Sequence, residues 1–572
     1  MKFALSQRHR NGFSLLLVTF LLGVGFLLMT GALRWSGAST NLAGRYNDYY
    51  TSLAAAEAAT EKAVGHISHY FQNFGVAGVD SQLANIGGSY PTTVELLEWG
   101  NYEFRNPEGG ANSTYVVKLS DEQYTTGLNW KYPGFGGYAA SYRVVSNARR
   151  LASPDNVVGV RQDVQVASLP LFGFAIFYAM DMELHPFTSD FTVNGRVHCN
   201  GNIYCEPHSP RAVTFQDHVT AAGKIVHDNH PNDPTSPRVF GGVNYLGERD
   251  TGVNALNLPI GTNNTPQILY SIIEMPPTGE SPTSLMGQQR YYNKADLIIL
   301  VSDTNTVAKS GLYNGFATTI PWANMTNFVK TTPTFYDKRE SKTIRATEIN
   351  IGQMIAQYGY LTSILGRAPQ TIYVADTRSG GSDKAAVRLI NGATLPTNGL
   401  TVATLNPLYV QGHYNAYSGH LGTTNTSQTK PASLVADAIT ILSVDWKDNE
   451  ANLDLDDDKR NANHTTVNAA VIAGIVQSGN GAYSGGIENA LRLLEDWYSA
   501  SKILTFNGSI VALYDSQNAN SPWGGNDVYH PPIRKYSFDA NFKDPLKLPP
   551  GTPRLRTLIR SEWTAARANS TL

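Results

Sequence analysis

Residues 13–33 read FSLLLVTFLLGVGFLLMTGAL, 21 residues with no charge until Arg34. At about 1.5 Å per helical residue the run is roughly 30 Å long, the hydrocarbon thickness of a bilayer. The helical rhythm continues past it. Leu42, Tyr46, Tyr49, Leu53, Ala56, Ala63, Ile67 and Tyr70 recur mostly at steps of three or four or their multiples, and Pro is absent from residues 1–90. The pattern predicts one helix from Phe13 to about Tyr70, a transmembrane segment over 13–33 with an amphipathic extension over 34–70. After Tyr70 the period drops toward two. Residues 102–104, 114–119, 142–147 and 158–166 alternate and end at turn residues, so they predict antiparallel strands. With the preceding helix they predict a small α+β module over 71–170.

At Leu171 the texture changes again. A dense apolar stretch (172–184) leads into short units at 191–198, 200–204 and 213–226, and similar units return at 408–414, 467–476 and 504–514. Each consists of a few alternating residues, a turn at Asn-Gly or Gly, and another short strand. One unit cannot bury its apolar side, whereas stacked units share an interior. The expected class is therefore mainly β, with the body an interrupted right-handed parallel β-helix; a multi-sheet sandwich with Gly-rich hairpins is the competitor. In such a body Val193, Val197, Val213, Phe215, Val219, Val410, Ile472, Phe506 and Ile510 point inward. Asn194, Gly195, Gly412 and Gly508 take turns or edges. The first coils are placed at 171–227 and the remainder at 371–545, with a short amphipathic helix at 487–497. Between them, 228–370 is a mixed insertion. It has a strand covered on both faces near 295–302, a strand near 335–340, a helix near 349–358 and a second covered strand at 370–376. Residues 546–572 are expected as an extended Pro-rich tail.

Lys2, Arg8 and Arg10 precede the apolar run, which favours a cytoplasmic N-terminus and a translocated body, a single-pass inner-membrane arrangement. The charged segment stops at Gly12, directly before Phe13. An ordinary secretory signal has a shorter apolar core and an A-x-A-like site, which Met29 and Leu33 interrupt here. Arg8-His9-Arg10-Asn11-Gly12-Phe13 resembles the class III leader of type IV pilins and type II secretion pseudopilins. The order Arg34, Asn41-Leu42-Ala43-Gly44-Arg45, Ala54-Ala55-Ala56-Glu57-Ala58-Ala59 is similar to the start of PilX-type minor pilins. Residues around 193–202 and 483–509 echo large PilX-like surface proteins that carry a β-solenoid. The resemblance implies a leader over 1–12, cleavage after Gly12 by a prepilin peptidase so that Phe13 begins the mature chain, methylation, and pilin or pseudopilin partners for the helix. It departs from the pattern at Leu17, where most pilins have Glu, and this argues against a bulk filament subunit. The alternative is an ordinary signal anchor followed by a helical stalk.

A net charge of −2 with 16% charged residues points away from a nucleic-acid partner. The two cysteines, Cys199 and Cys205, flank an Asn-Gly turn, and in an oxidising compartment a disulfide is expected between them. A zinc site with His198 and His208 can be drawn, but C-x5-C is longer than a knuckle spacing. Asp454, Asp456 and Asp458 match EF-hand positions 1, 3 and 5, yet Lys459 replaces the required Gly and Thr465 the final Glu. The residues allow at most a weakly held Ca²⁺. No other cofactor is implied, and no confident metal site. No H-E-x-x-H, G-x-S-x-G, nucleotide loop or C-x-x-C occurs. Asp181, Glu183, Asp217, Asp437 and Asp445 are the carboxylates a β-helix lyase or hydrolase would draw on, but no catalytic pair is visible in their spacing. The expectation is a non-enzymatic envelope or surface protein for pilus assembly, adhesion or scaffolding, with surface glycans as further candidate partners. A membrane-tethered carbohydrate-active enzyme or polysaccharide-binding module is the alternative.

Overall fold

The computed structural model describes residues 11–128, 132, 134–233, 239–311, 317–455, 459–479, 483–498, 501–523 and 527–566. It consists of a long N-terminal helix followed by a mostly β body with several sheets. Helix α1 (Asn11–Ser81) is apolar enough near its start to cross a membrane, and that part is not buried against the described residues. It runs past the predicted end at Tyr70 and kinks at Gly75, whose φ of 70° lies in the left-handed region that favours glycine. From Leu53 onward one face is covered. Ala55, Ala56, Ala59, Ala63, Val64, Ile67 and Phe71 are buried, and the small alanines let the helix axis come close to the sheet beneath it.

That sheet is antiparallel. Gly137–Arg150 pairs on one edge with both Tyr102–Arg105 and Tyr115–Thr125, and on the other with Val158–Pro170. Ala140, Tyr142, Val144, Val164 and Val166 alternate toward Ile67 and Phe71. The fifth strand comes from the other end of the chain: Arg554–Ala566 pairs antiparallel with Val158–Pro170. Residues 546–572 were expected as an extended tail, and this is a correction. Leu555, Thr557 and Ile559 are buried while Arg554 and Arg560 are exposed, a period of two that the preceding prolines obscured. Gln72 and Arg556 exchange side-chain to backbone hydrogen bonds of 2.8 Å each, and Arg560 pairs with Glu61. The whole body, 171–553, is thus inserted between two neighbouring strands of one small sheet.

In the body the ladders are parallel. Ile176, Val197 and Val219 are successive register partners, 21 and 22 residues apart. Met182, Ile203 and Ile225 belong to strands that pair the same way on a second sheet, and Phe191 and Val213 on a third. Gly242–Tyr245 and Arg249–Thr251 extend two of these ladders, so the regular pairing runs past residue 227, where the insertion was expected to begin. The chain then crosses back. Leu297–Val301, Thr371–Asp376, Leu400–Thr404, Ala432–Ala436, Thr465–Ala473 and Ile503–Ala512 pair parallel in that order, and the last of them pairs with Ile176–Tyr178. The two halves therefore share one continuous sheet, which the chain enters in its middle. A companion ladder runs through Lys342–Asn350, Lys384–Ile390, Leu408–Gln411, Ile439–Leu442 and Leu491–Arg492.

The nine inward residues named from sequence are all buried. Both covered strands lie in the long sheet as Leu297–Val301 and Thr371–Asp376, so they belong to the body and not to a side module. The helix near 349–358 becomes Ile351–Ala356, capped by the Asn350 side chain accepting from Gln353 N at 3.0 Å, followed by Tyr358–Leu365. Gly412 takes a turn with φ 81°. Gly508 does not. It lies inside Ile503–Ala512, where a Cβ would collide with the Ala469 carbonyl on the neighbouring strand. The helix expected at 487–497 is a short 3₁₀ turn, Ile487–Asn489, and a two-residue strand, Leu491–Arg492. Its polar residues Glu488, Arg492 and Glu495 are as buried as Leu491 and Trp497, so the segment is covered all round and has no solvent face to support an amphipathic helix.

Candidate functional site

Three places collect unusual side chains: the free half of α1, the junction between the two halves of the body, and a cleft beside that junction. Along α1 the residues from Phe13 to Tyr50 are almost all exposed, with Trp35 at 76% and Tyr46 at 56%. The stripe read from sequence is therefore divided. Leu42, Tyr46 and Tyr49 are exposed, whereas Ala56, Ala63 and Ile67 form the core of the sheet module. An apolar face this long is costly in water and marks a lipid or protein contact. Residues 1–10 of the proposed leader lie outside the described residues, and the Phe13 side chain is exposed.

At the junction, Glu183 sits on Met182–Leu184 and bridges to Gly486, far along the chain. Its Oε2 accepts from Ser478 Oγ at 2.8 Å. His230 stands between Asp181 and Glu183, with Nε2 3.6 Å from Asp181 and Nδ1 4.0 Å from Glu183. Its pairing with Asp181 raises the imidazole pKa and lowers that of the aspartate. Burial raises the Glu183 carboxyl. Next to it, Glu488 accepts the His185 backbone N–H at 3.1 Å and the Tyr483 hydroxyl at 3.3 Å, and burial raises its pKa as well. These groups fasten Ser478, Gly486 and Glu488 to the first strands of the body. No sequence spacing connects Glu183 with Ser478 or His185 with Glu488, because the contact arises only when the returning ladder meets the strands where the body began.

The adjoining cleft has a volume of about 620 Å³ and is lined by Asn232, Ile475, Gln477, Asp515, Asn520 and Pro522 among others. Gln477 Nε2 donates to Asp515 Oδ1 at 2.8 Å, and burial raises the Asp515 pKa. Among the described lining residues there is one carboxylate and no Tyr or Trp.

The carboxylates singled out from sequence are dispersed. Asp437 is fully buried and accepts from Tyr270 OH, Ser516 Oγ and the backbone N–H groups of Gln517, Asn518 and Ala519, which holds the loop at 516–519. Asp445 accepts from Asn463 at 2.8 Å. Asp217 lies against His218 (2.9 Å) and Arg196 (3.9 Å) in a separate pocket of about 160 Å³. Only Asp181 and Glu183 come together, and they share His230.

The expected disulfide is a correction. Cys199 and Cys205 are free and buried. The turn between them sends their strands into two different sheets, and Cys199 Sγ is engaged with the Met180 carbonyl oxygen at 3.0 Å. Burial pushes the Cys199 thiol up to about 12 and raises Cys205 too, so neither is reactive in the fold. His198 is bonded to Thr220 and Asn200, and His208 packs on Phe187, so the zinc arrangement is not assembled. Asp454 is 3.3 Å from Lys338 Nζ, and its companions Asp456 and Asp458 lie outside the described residues. Among the described residues no group of three or more His, Cys, Asp or Glu is placed to hold a metal ion.

The arrangement defines a mostly β protein carried on one apolar N-terminal helix that is long enough to span a membrane. No family model matches the chain, and no curated protein matches it. A solved structure, the competence-associated pilin ComZ from Thermus thermophilus, aligns over 91% of this chain and 98% of that chain at 10% identity, with a TM-score of 0.28. At that score the likeness carries no argument about this chain.

Proposed function

We propose that the chain is a non-enzymatic, minor-pilin-like envelope protein that assembles through α1 and presents a large β body for adhesion or scaffolding. The observation that carries this reading is the division of α1. One half is exposed, apolar over 13–33 and carrying uncovered Trp35, Leu42, Tyr46 and Tyr50 beyond it, and the other is the core element of a small antiparallel sheet. A helix needed only as a membrane anchor has no reason to leave Trp35, Leu42, Tyr46 and Tyr50 uncovered beyond the apolar run. A helix that packs against others like itself does.

In this reading residues 1–12 are a cytoplasmic leader removed by a prepilin peptidase after Gly12, the N-terminus faces the cytoplasm at the inner membrane, and the body lies outside it. The body is read as an interrupted right-handed β-solenoid, its coils being the parallel ladders with their recurrence of 21 or 22 residues. Leu17 in place of Glu, and a body of several hundred residues, fit few copies per assembly better than a repeating subunit. Asp217, Asp437 and Asp445 engage separate partners, and Asp181 and Glu183 meet at His230 with Glu183 buried, which supports a non-enzymatic role: a glycosidase needs two carboxyl groups ~5–9 Å apart across an open cleft. N-terminal sequencing of protein isolated from its native cell tests the anchor. Phe13 as the first residue is expected, and a retained Met1 or a cut near Ser39 refutes it.

A further inference from the structure

We propose that the cleft beside the body's junction binds a short, uncharged oligosaccharide. The proposal rests on the reading of the body as the presented part and gives that part a ligand class. The cleft's volume of about 620 Å³ lies within the range of small-molecule sites. Asn232, Gln477, Asp515 and Asn520 offer amide donors, amide acceptors and a carboxylate, while Ile475 and Pro522 give an apolar surface. A pyranose ring has the same two-sided character, with hydroxyls around its edge and C–H groups on its faces.

Charge narrows the ligand further. It enters through Asp515 in the lining, whose carboxylate repels phosphate, sulfate and uronate groups. A lipid chain would strand the amides unpaired.

The walls are also held in place before any ligand arrives. Gln477 is tied to Asp515, Ser478 to Glu183, and the loop at 516–519 to buried Asp437. Asn232 lies between Ile225–Val226 and Gly242–Tyr245 of the first ladders, and the other five residues come from the end of the returning one. A site built across this junction exists only when the ladder has closed on itself, and its rigidity lowers the cost of ordering on binding.

The test is isothermal titration calorimetry on the detergent-solubilised full chain. The probes are neutral trisaccharides of glucose, galactose and N-acetylglucosamine, and the matching uronic-acid trisaccharides. At least one neutral trisaccharide is expected to bind. Gln477→Ala and Asn520→Ala, each with an unchanged thermal midpoint, are expected to weaken it about tenfold, the loss of one or two hydrogen bonds. Either variant suffices if the other fails to fold. Absence of binding by every neutral trisaccharide, tighter binding of the uronic acids, or affinity unchanged in a folded variant overturns the proposal. The measurement needs no assembled filament, so it can fail while assembly through α1 stands, and the reverse.

Discussion

Glu495 offers a quantitative check on the interior of the returning ladder. Its side chain is fully buried, with Ser443 N–H donating to Oε2 and Ser443 Oγ close to Oε1, both at 2.6 Å. Burial dominates and pushes the carboxyl from about 4.5 up to about 8. Asp445 nearby raises it further, while the Ser443 hydrogen bonds and Arg460 oppose the rise. A carboxyl whose pKa is higher in the folded than in the unfolded chain binds its proton more tightly when folded. Its contribution is fully present below pH 4.5 and is lost as the pH rises through 8. At about 1.36 kcal/mol per pKa unit the loss between pH 5 and pH 9 is about 4 kcal/mol. Glu495→Gln mimics the neutral acid: its carbonyl oxygen can accept from Ser443 N–H, and its amide can donate to the Ser443 hydroxyl. Urea unfolding followed by tryptophan fluorescence should show the wild type falling by about that amount relative to the variant between pH 5 and pH 9. Parallel pH profiles would show that Glu495 is ionised in the fold and that the burial argument is wrong.

Three further outcomes follow from the packing. Phe71→Ala removes a fully buried ring between α1 and the sheet and should cost about 3–5 kcal/mol, read as a lowered urea midpoint, whereas Phe74→Ala at an exposed position should change little. Iodoacetamide should label neither Cys199 nor Cys205 in the folded protein and both after denaturation without reductant; labelling of neither after denaturation would restore the disulfide. Gly75→Ala should destabilise by about 1 kcal/mol or more, because alanine is strained at φ 70° and its methyl would press on Arg556, detectable as a lower thermal midpoint.

The sequence was most legible where one period governs a long stretch. The rod from Phe13 and the inward positions of the ladders follow from periods of 3.6 and 2 that burial enforces at each step. It was least legible where distant segments meet. Arg554–Ala566 has a strand's alternation, but nothing local says that its partner lies some 390 residues earlier. Residues 487–497 carry helix-like spacing, yet Glu488, Arg492 and Glu495 are buried on the sides a helix would turn to water, and that depends on neighbours the segment itself does not encode. The junction at Glu183, His185, His230, Ser478 and Glu488 is a product of closure. The acids near 181–183 were visible as candidates, but their partners were not. The six-residue spacing of the cysteines was misleading because the turn between them divides two sheets.

The central claim is that the uncovered half of α1 is an assembly face for other helices of its kind. Site-specific photocrosslinking in the native cell tests it most directly, with a benzophenone side chain replacing exposed Tyr46 on the helix and, as control, exposed Leu246 on the body. The account predicts adducts at position 46 that contain pilin or pseudopilin subunits, and none of these at position 246. Absence of such subunits at position 46, with the protein correctly inserted and abundant, would contradict it.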